Sequence, residues 1–89
     1  MPLYVRTLLS TASPQEIEAA AGEHRRQLRE LRAQGKLRAA GEFHDGDGFL
    51  EIFEAADLHE ADAIARASPL VAEGLVAWML REWVETDLG

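Results

Sequence analysis

Apolar residues recur along this chain with two different periods, and each change of period marks a predicted element. In residues 3–9 they alternate within a run rich in β-branched and aromatic types, which predicts a first strand. We expect the more apolar face of this strand to lie against a helix, and that face holds Leu3, Val5, Thr7 and Leu9. The opposite face then holds Tyr4, Arg6 and Leu8.

A long helix is predicted over residues 13–34, because apolar side chains recur there at steps of three and four. Ser13 opens a capping box at its start, and Gly35 is a typical terminator at its end. The predicted buried stripe consists of Ile17, Ala20, Ala21, Leu28 and Leu31. His24 lies near the middle of this stripe, where packing alone would favour leucine.

The rest of the chain predicts a hairpin, a second helix and a last strand. Residues 36–43 and 49–54 are predicted strands, joined by an Asp-Gly turn over residues 44–48. A second helix is predicted over residues 57–67, and its buried stripe is expected to contain Leu58, Ala61, Ile64 and Ala65. Ser68-Pro69 ends this helix, and the last strand spans residues 75–84.

The predicted order is strand, helix, strand, strand, helix, strand, which is the split βαβ or ferredoxin-like arrangement. The fold class is therefore α+β, with both helices on one face of a four-stranded antiparallel sheet. We expect the other face to be apolar and to include Tyr4, Leu8 and Phe49 or Leu50. An exposed apolar sheet face usually marks an interface, so we predict a homodimer in which two sheets meet face to face.

Composition narrows the class of protein further. We interpret the 89 residues as one domain over residues 1–89, with a frayed tail at residues 85–89. Sixteen acidic and nine basic residues give a net charge of −7, which opposes general binding to nucleic acid. The absence of cysteine excludes disulfides and thiolate metal sites. No apolar run approaches the roughly 20 residues of a membrane span and no signal-peptide layout is present, so a cytoplasmic location and no membrane association are expected.

Basic residues are concentrated at one point of the chain. Six of the nine lie within fourteen residues: Arg25, Arg26, Arg29, Arg32, Lys36 and Arg38. One interpretation is that these cations complement the dipole at the end of the long helix. The other is an anion-binding rim.

His24 likewise has two interpretations. It is either a core histidine whose nitrogens are satisfied by neighbouring groups, or a general base that accepts a proton from a ligand.

His44, Asp45 and Asp47 lie in the hairpin turn, where turn chemistry explains the aspartates, and no metal site is predicted. Asp45 or Glu42 remains available as an acid that reaches toward His24.

The sequence resembles the YciI-like, or YCII-related, family over roughly residues 3–83. The segments that carry the resemblance are Glu23-His24-Arg25 with Leu28 and Leu31, and residues 35–41, 45–53, 61–65 and 68–76. The resemblance implies a dimeric α+β barrel of two ferredoxin-like subunits. It also implies small cofactor-free enzymes, mostly of unassigned function, whose centre pairs a helix histidine with an aspartate before a proline.

His24 matches the family histidine, but the aspartate position falls on Ser68 here. A second departure is Gly41-Glu42, where a glycine-proline pair is common in the family. One type of member resembles a dehydrochlorinase that acts on a chlorinated hydroxyquinol. Related folds include muconolactone isomerases and cofactor-independent monooxygenases.

The leading hypothesis is a cofactor-free enzyme in which His24 exchanges a proton with a small aromatic or enol compound. Ser68 would orient the ring, and the substrate pocket would include Tyr4, Arg6, Gly41 and Pro69. The competing hypothesis is a non-catalytic ligand-binding or accessory subunit that has lost the family's acid. Cofactor-free oxygenation is a third hypothesis and rests on fold analogy alone.

Overall fold

The computed structural model describes all of residues 1–89, and its element order is the one that the sequence predicts. The elements are β1 (Leu3–Ser10), α1 (Pro14–Ala33), β2 (Leu37–Glu42), β3 (Gly48–Glu54), α2 (Leu58–Arg66), α3 (Pro69–Ala72) and β4 (Val76–Trp83). The short α3 is one helical turn that directly follows the proline interruption. Residues 84–89 lie outside any helix or strand.

The four strands form one antiparallel sheet in the order β2-β3-β1-β4. All three helices cover the same face, because buried residues of α1, α2 and α3 pack with side chains from one face of β1 and β3. The fold is therefore the predicted α+β ferredoxin-like arrangement. None of its helices is both long and apolar enough to cross a bilayer.

Helix α1 forms as the sequence predicts. The Ser13 hydroxyl accepts a hydrogen bond from the Glu16 backbone N–H at 3.2 Å, and the Glu16 carboxylate reaches back to Ser13. Gly35 follows the helix with a φ of +74°, a left-handed conformation that favours glycine. The buried residues of the helix are Ala20, Ala21, His24 and Leu31, with Ile17 and Leu28 half-buried.

The hairpin of β2 and β3 also forms where the Asp-Gly turn predicts it. Gly48 opens β3 and lies so close to the Leu8 carbonyl of β1 that a Cβ atom at this position would collide with it. The glycine therefore permits β1 and β3 to approach at the start of their pairing, where Leu9 lies opposite Gly48.

The predicted orientation of β1 was wrong. Tyr4, Arg6 and Leu8 are buried beneath the helices, whereas Leu9 on the opposite face is 48% exposed. The prediction failed because it placed the face containing an arginine away from the core. Arg6 is instead buried together with an acidic partner from β3, and this pairing makes its burial possible.

The open face of the sheet consequently holds the residues that were expected to meet the helices. They are Leu3, Val5, Thr7 and Leu9, joined by Leu50 and Ile52 of β3 and by Met79, Arg81 and Trp83 of β4, so this face is largely apolar but includes one exposed arginine. A second expectation also failed: Leu58, assigned to the buried stripe of α2, is 59% exposed, while Ala61 and Ala65 are buried as predicted.

Under the helices, the apolar core consists of two clusters. The first contains Leu8, Ala20, Phe49, Leu70 and Val76. The second contains Tyr4, Phe53, Ala55 and Ala61. Arg6 lies between Tyr4 and Leu8 on β1, and Glu51 lies between Phe49 and Phe53 on β3, so a charged pair separates the two clusters.

Candidate active site

His24 is buried in the interface between α1 and the sheet, and both of its ring nitrogens have protein partners. Nδ1 lies 2.7 Å from the Ser68 hydroxyl oxygen, and Nε2 lies 3.0 Å from the Glu51 carboxylate. The three side chains are each no more than 1% exposed. Residues from a helix, a strand and the N-cap of α3 therefore form one continuous hydrogen-bonded chain.

The partners of the ring determine where its proton lies. The Glu51 carboxylate can only accept, so Nε2 carries the proton and donates it. Nδ1 then accepts from the Ser68 hydroxyl, whose oxygen in turn accepts from the Leu70 backbone N–H at 3.2 Å. Every donor meets an acceptor when the imidazole is neutral.

The carboxylate of Glu51 is anchored on its other side by Arg6. Arg6 Nε donates to Glu51 Oε1 at 2.7 Å, and both side chains are fully buried. The two terminal nitrogens of the Arg6 guanidinium donate to the Gln27 side-chain oxygen at 3.2 Å, and one of them also donates to the Ala65 carbonyl at 3.1 Å. No buried side-chain nitrogen or oxygen in the protein lacks a hydrogen-bond partner. The ion pair is therefore fully satisfied, which is the condition under which charges are tolerated in a core.

A recess of about 300 Å³ adjoins this chain of hydrogen bonds, between α1 and the β2–β3 hairpin. Its lining residues are His24, Arg25, Leu28, Ala40, Gly41, Glu42, Phe49 and Glu51. The Phe49 ring lies against the imidazole with 5.3 Å between the ring centroids. The mouth contains the half-exposed side chains of Arg25 and Glu42, which lie 3.9 Å apart. A small molecule in this recess would meet the His24–Glu51 edge of the network, whereas Ser68 lies behind the ring.

The structure brings four of the six sequence-predicted site residues together. His24 and Ser68 are in direct contact, and Gly41 lines the recess. Arg6 does not line the recess itself but donates a hydrogen bond to Glu51, which does. Pro69 is elsewhere: it lines a separate groove between α1 and α2.

Tyr4 is also away from the recess. It packs in the second core cluster, with its ring centroid 6.4 Å from that of Phe53. Burial raises the pKa of the Tyr4 phenol above its usual value of 10.0, and the nearby carboxylates of Glu82 and Asp57 raise it further. The phenol is therefore protonated at neutral pH and has a packing role in this position.

Sequence reasoning missed Glu51 as the acid beside His24. The candidates that it named are elsewhere: Glu42 lies at the mouth of the recess and Asp45 in the exposed hairpin turn. A signal was available, because Glu51 alternates with Phe49 and Phe53 on a strand whose aromatic face must be buried. An acid in such a row requires a buried basic partner, which the alternation of β1 supplies as Arg6.

Comparison with known proteins places these features in a family. The sequence model of the YCII-related domain matches residues 4–83. The chain is 31% identical over 81 residues to the uncharacterized protein YjpA of Bacillus subtilis (strain 168), an alignment that covers 91% of this chain and 95% of YjpA.

Two solved structures share the fold. The 5-chloro-2-hydroxyhydroquinone dehydrochlorinase TftG of Burkholderia phenoliruptrix AC1100, in complex with 2,5-dihydroxybenzoquinone, superposes with a TM-score of 0.80 at 22% identity, covering 94% of this chain and 95% of TftG. Rv0793 of Mycobacterium tuberculosis superposes with a TM-score of 0.62 at 16% identity, covering 98% and 97% of the two chains. At these identities the likeness shows the shared fold. The family-model match over residues 4–83 and the 31% identity to YjpA confirm the resemblance: this chain belongs to the YCII-related domain family.

Proposed function

We propose that this protein is an enzyme that uses His24 to exchange a proton with a small aromatic or enol compound bound in the adjoining recess. The observation that carries the proposal is the position of the His24–Glu51 pair, which forms part of the wall of that recess. Proton transfer between a ligand hydroxyl and an imidazole needs no metal or cofactor, so the proposed chemistry uses the protein's own side chains.

The proposed roles follow from the hydrogen bonds. The ring can receive a proton at the His24–Glu51 edge only in its other tautomer, in which Nδ1 carries the ring proton and donates it to the Ser68 oxygen. A ligand hydroxyl that comes between Nε2 and Glu51 then gives its proton to Nε2, the ring becomes an imidazolium and the ligand becomes an oxyanion. The Glu51 carboxylate stabilises that cation directly. Glu51 thus supplies the negative charge that an aspartate in place of Ser68 would supply.

Ser68 acts as a positioning residue. Its hydroxyl holds Nδ1 while its oxygen caps α3 through the Leu70 N–H, so the ring orientation is tied to the backbone. When the ring is protonated, Nδ1 becomes a donor, and the Ser68 hydroxyl must turn to another acceptor.

TftG supports the choice of substrate class, because it has this fold and acts on a hydroxylated, chlorinated aromatic ring. Removal of HCl from such a ring requires the loss of a proton as well as of chloride, and a neutral imidazole can accept a hydroxyl proton. The recess of about 300 Å³ beside a phenylalanine ring accommodates a compound with a single aromatic ring.

The first experiment measures chloride release from 5-chloro-2-hydroxyhydroquinone by the wild-type protein and by His24→Gln. We expect turnover by the wild type and a loss of roughly 100-fold or more in the variant, the usual contribution of a general base. His59→Gln is the matched control, because His59 is exposed on α2, and it should retain full activity. Equal turnover by both variants would rule out His24 as the base.

The second experiment adds 2,5-dihydroxybenzoquinone and follows the ring nitrogens of His24 by NMR. We expect the ligand to move the Nε2 resonance, whose free-state signal should show the attached proton. If the ligand binds and leaves both ring nitrogens unchanged, the site of proton exchange lies elsewhere.

A non-catalytic binding or accessory role is the second candidate. It is favoured by the fact that both ring nitrogens already have protein partners and that the ring is only 1% exposed. Under this hypothesis the wild type binds 2,5-dihydroxybenzoquinone without chemical turnover of the chlorinated compound, and His24→Gln lowers stability alone.

We also propose that two copies associate through the open face of the sheet. Leu9, Met79 and Trp83 on this face are 48%, 54% and 38% exposed, and half-buried aliphatic side chains of β1 and β3 lie beside them. The one exposed arginine among them is Arg81, between Met79 and Trp83 on β4. A second copy across a two-fold axis would place this apolar surface against itself and remove it from water. Sedimentation at micromolar concentration tests this, and a monomer there would contradict it.

A further inference from the structure

The cleft between α1 and β2 contains a second recess next to the one beside His24. Its volume is about 220 Å³, and its lining residues are Arg25, Leu28, Arg29, Arg32, Leu37 and Ala40. Three of them, Arg25, Leu28 and Ala40, also line the recess beside His24. The two recesses therefore lie side by side between α1 and β2 and share part of their lining.

The charges of this second recess are all positive. Its floor is aliphatic, its three ionisable residues are arginines, and no carboxylate is among its lining side chains. Six of the nine lysines and arginines pair with a carboxylate within 4.0 Å, and the three that do not are Arg29 and Arg32 in this recess and Arg81 on β4. In a chain with sixteen acidic and nine basic residues, two neighbouring arginines without acidic partners are unexpected.

Helical geometry directs these arginines to one side of α1. Arg25, Arg29 and Arg32 follow one another at steps of four and three, which places them on one face. With a rise of about 1.5 Å per residue, Arg29 lies about 7.5 Å further along the helix axis than His24, and Arg32 about 12 Å. A molecule whose reactive hydroxyl meets His24 can therefore extend an anionic group to the arginines.

We propose that the natural ligand carries an oxyanion group, such as a carboxylate, and that Arg29 and Arg32 bind it. This inference rests on the proposed function, since it places the reacting part of the same ligand beside His24. The aliphatic floor of Leu28, Leu37 and Ala40 contacts the segment that joins the two ends. Arg25 lies at the junction of the recesses and is held only loosely by Glu42 at 3.9 Å, so it can turn toward the anion.

The competing explanation is that these arginines only complement the dipole at the C-terminal end of α1. Arg32 lies in the last turn, where a cation is favourable. That explanation predicts a change in stability when the arginines are removed and no preference for a charged ligand. Binding measurements on matched ligands separate the two.

The probes are 3-(3,4-dihydroxyphenyl)propanoate and its primary amide, which have the same ring and chain and differ in charge. Titration calorimetry on the full-length wild-type protein should give a Kd roughly tenfold lower for the acid than for the amide. The preference should decrease as salt is added, because the arginines are exposed and their charges are screened.

Arg29→Gln and Arg32→Gln should each reduce the preference for the acid, and the double variant should abolish it. Arg26→Gln is the matched control: it removes the same charge from the same helix, but Arg26 faces the other groove and pairs with Glu23 and Glu30. This control should retain the preference of the wild type.

The outcomes distinguish this inference from the proposed function. If Arg29→Gln and Arg32→Gln lose the preference while His24→Gln keeps it, the anion site exists whether or not His24 is catalytic. Equal Kd values for acid and amide in the wild type would overturn the anion site and leave the role of His24 standing. Absence of binding by the acid at millimolar concentration would also overturn it, as would an equal loss of preference in Arg26→Gln.

Discussion

The two faces of the sheet differ in which side chains they bury and which they expose. The face beneath the helices, taken together with the helices that cover it, contains four polar side chains that are nearly inaccessible to water: Arg6, His24, Glu51 and Ser68. The open face contains mainly apolar side chains, and several of them are substantially exposed. Each face thus departs in part from the usual pattern, in which apolar side chains are buried and polar side chains are exposed.

The difference lies in what each side chain can find as a partner. Under the helices every polar atom is paired, so the polar groups are retained at little cost and define one arrangement of the surrounding elements. On the open face nothing within the chain covers the apolar groups. The first face is therefore complete by itself, whereas the second is completed in our proposal by another copy.

The strongest test of this contrast is Glu51→Gln compared with Glu54→Gln on the same strand. Glu51→Gln leaves the buried Arg6 without a counter-charge, and we expect a loss of about 3–5 kcal/mol in the free energy of unfolding. Glu54 lies on the open face, 3.7 Å from the half-exposed Arg38, and its variant should change stability by no more than about 0.5 kcal/mol. Urea unfolding measures both, and similar losses would contradict the contrast.

The next effect is that of His24→Leu, which fits the apolar stripe but removes a partner from Glu51 and from Ser68. We expect the free energy of unfolding to decrease by about 1–3 kcal/mol, because buried polar atoms lose hydrogen bonds. His59→Leu at an exposed position should be neutral within about 0.5 kcal/mol. Stabilisation by His24→Leu in urea unfolding would mean that the hydrogen bonds around the ring contribute little.

On the open face, Met79→Lys introduces a charge on the edge strand β4, within the surface that we propose to be an interface. We expect it to weaken association by at least about tenfold in sedimentation, since a lysine enclosed in the interface would lose its hydration. Val84→Lys is the control, because Val84 is 81% exposed and lies beyond the end of β4. An unchanged sedimentation coefficient in Met79→Lys would place the interface elsewhere.

The smallest expected effect is the pH dependence due to Tyr4. Its pKa is raised in the folded protein, so the folded state holds the phenolic proton more tightly than the unfolded state does. Stability from this group is therefore complete below pH 10.0 and is lost as the pH rises from there through the folded pKa. Tyr4 is the only tyrosine, so phenolate absorbance reports it alone, and Tyr4→Phe should show less alkaline destabilisation in urea unfolding.

Much of the architecture could be predicted from local sequence. The capping box at Ser13, the terminator Gly35 and the Asp-Gly turn each act within a few residues, so the boundaries of α1 and the hairpin were confirmed. His24 was identified because it interrupts an apolar stripe, and its contact with Ser68 was expected from the family resemblance. Its roles in catalysis and in ligand binding remain predictions.

What local pattern alone could not decide was the orientation of β1 and the identity of the acid beside His24. Both depend on pairing between residues 6 and 51, which are far apart in sequence and become neighbours only when β1 and β3 align. Arg6 read alone predicts a solvent-facing side chain, and the alternation of Glu51 with Phe49 and Phe53 indicates burial without identifying its partner. Each is buried because the other neutralises it, and that mutual compensation exists only in the tertiary structure.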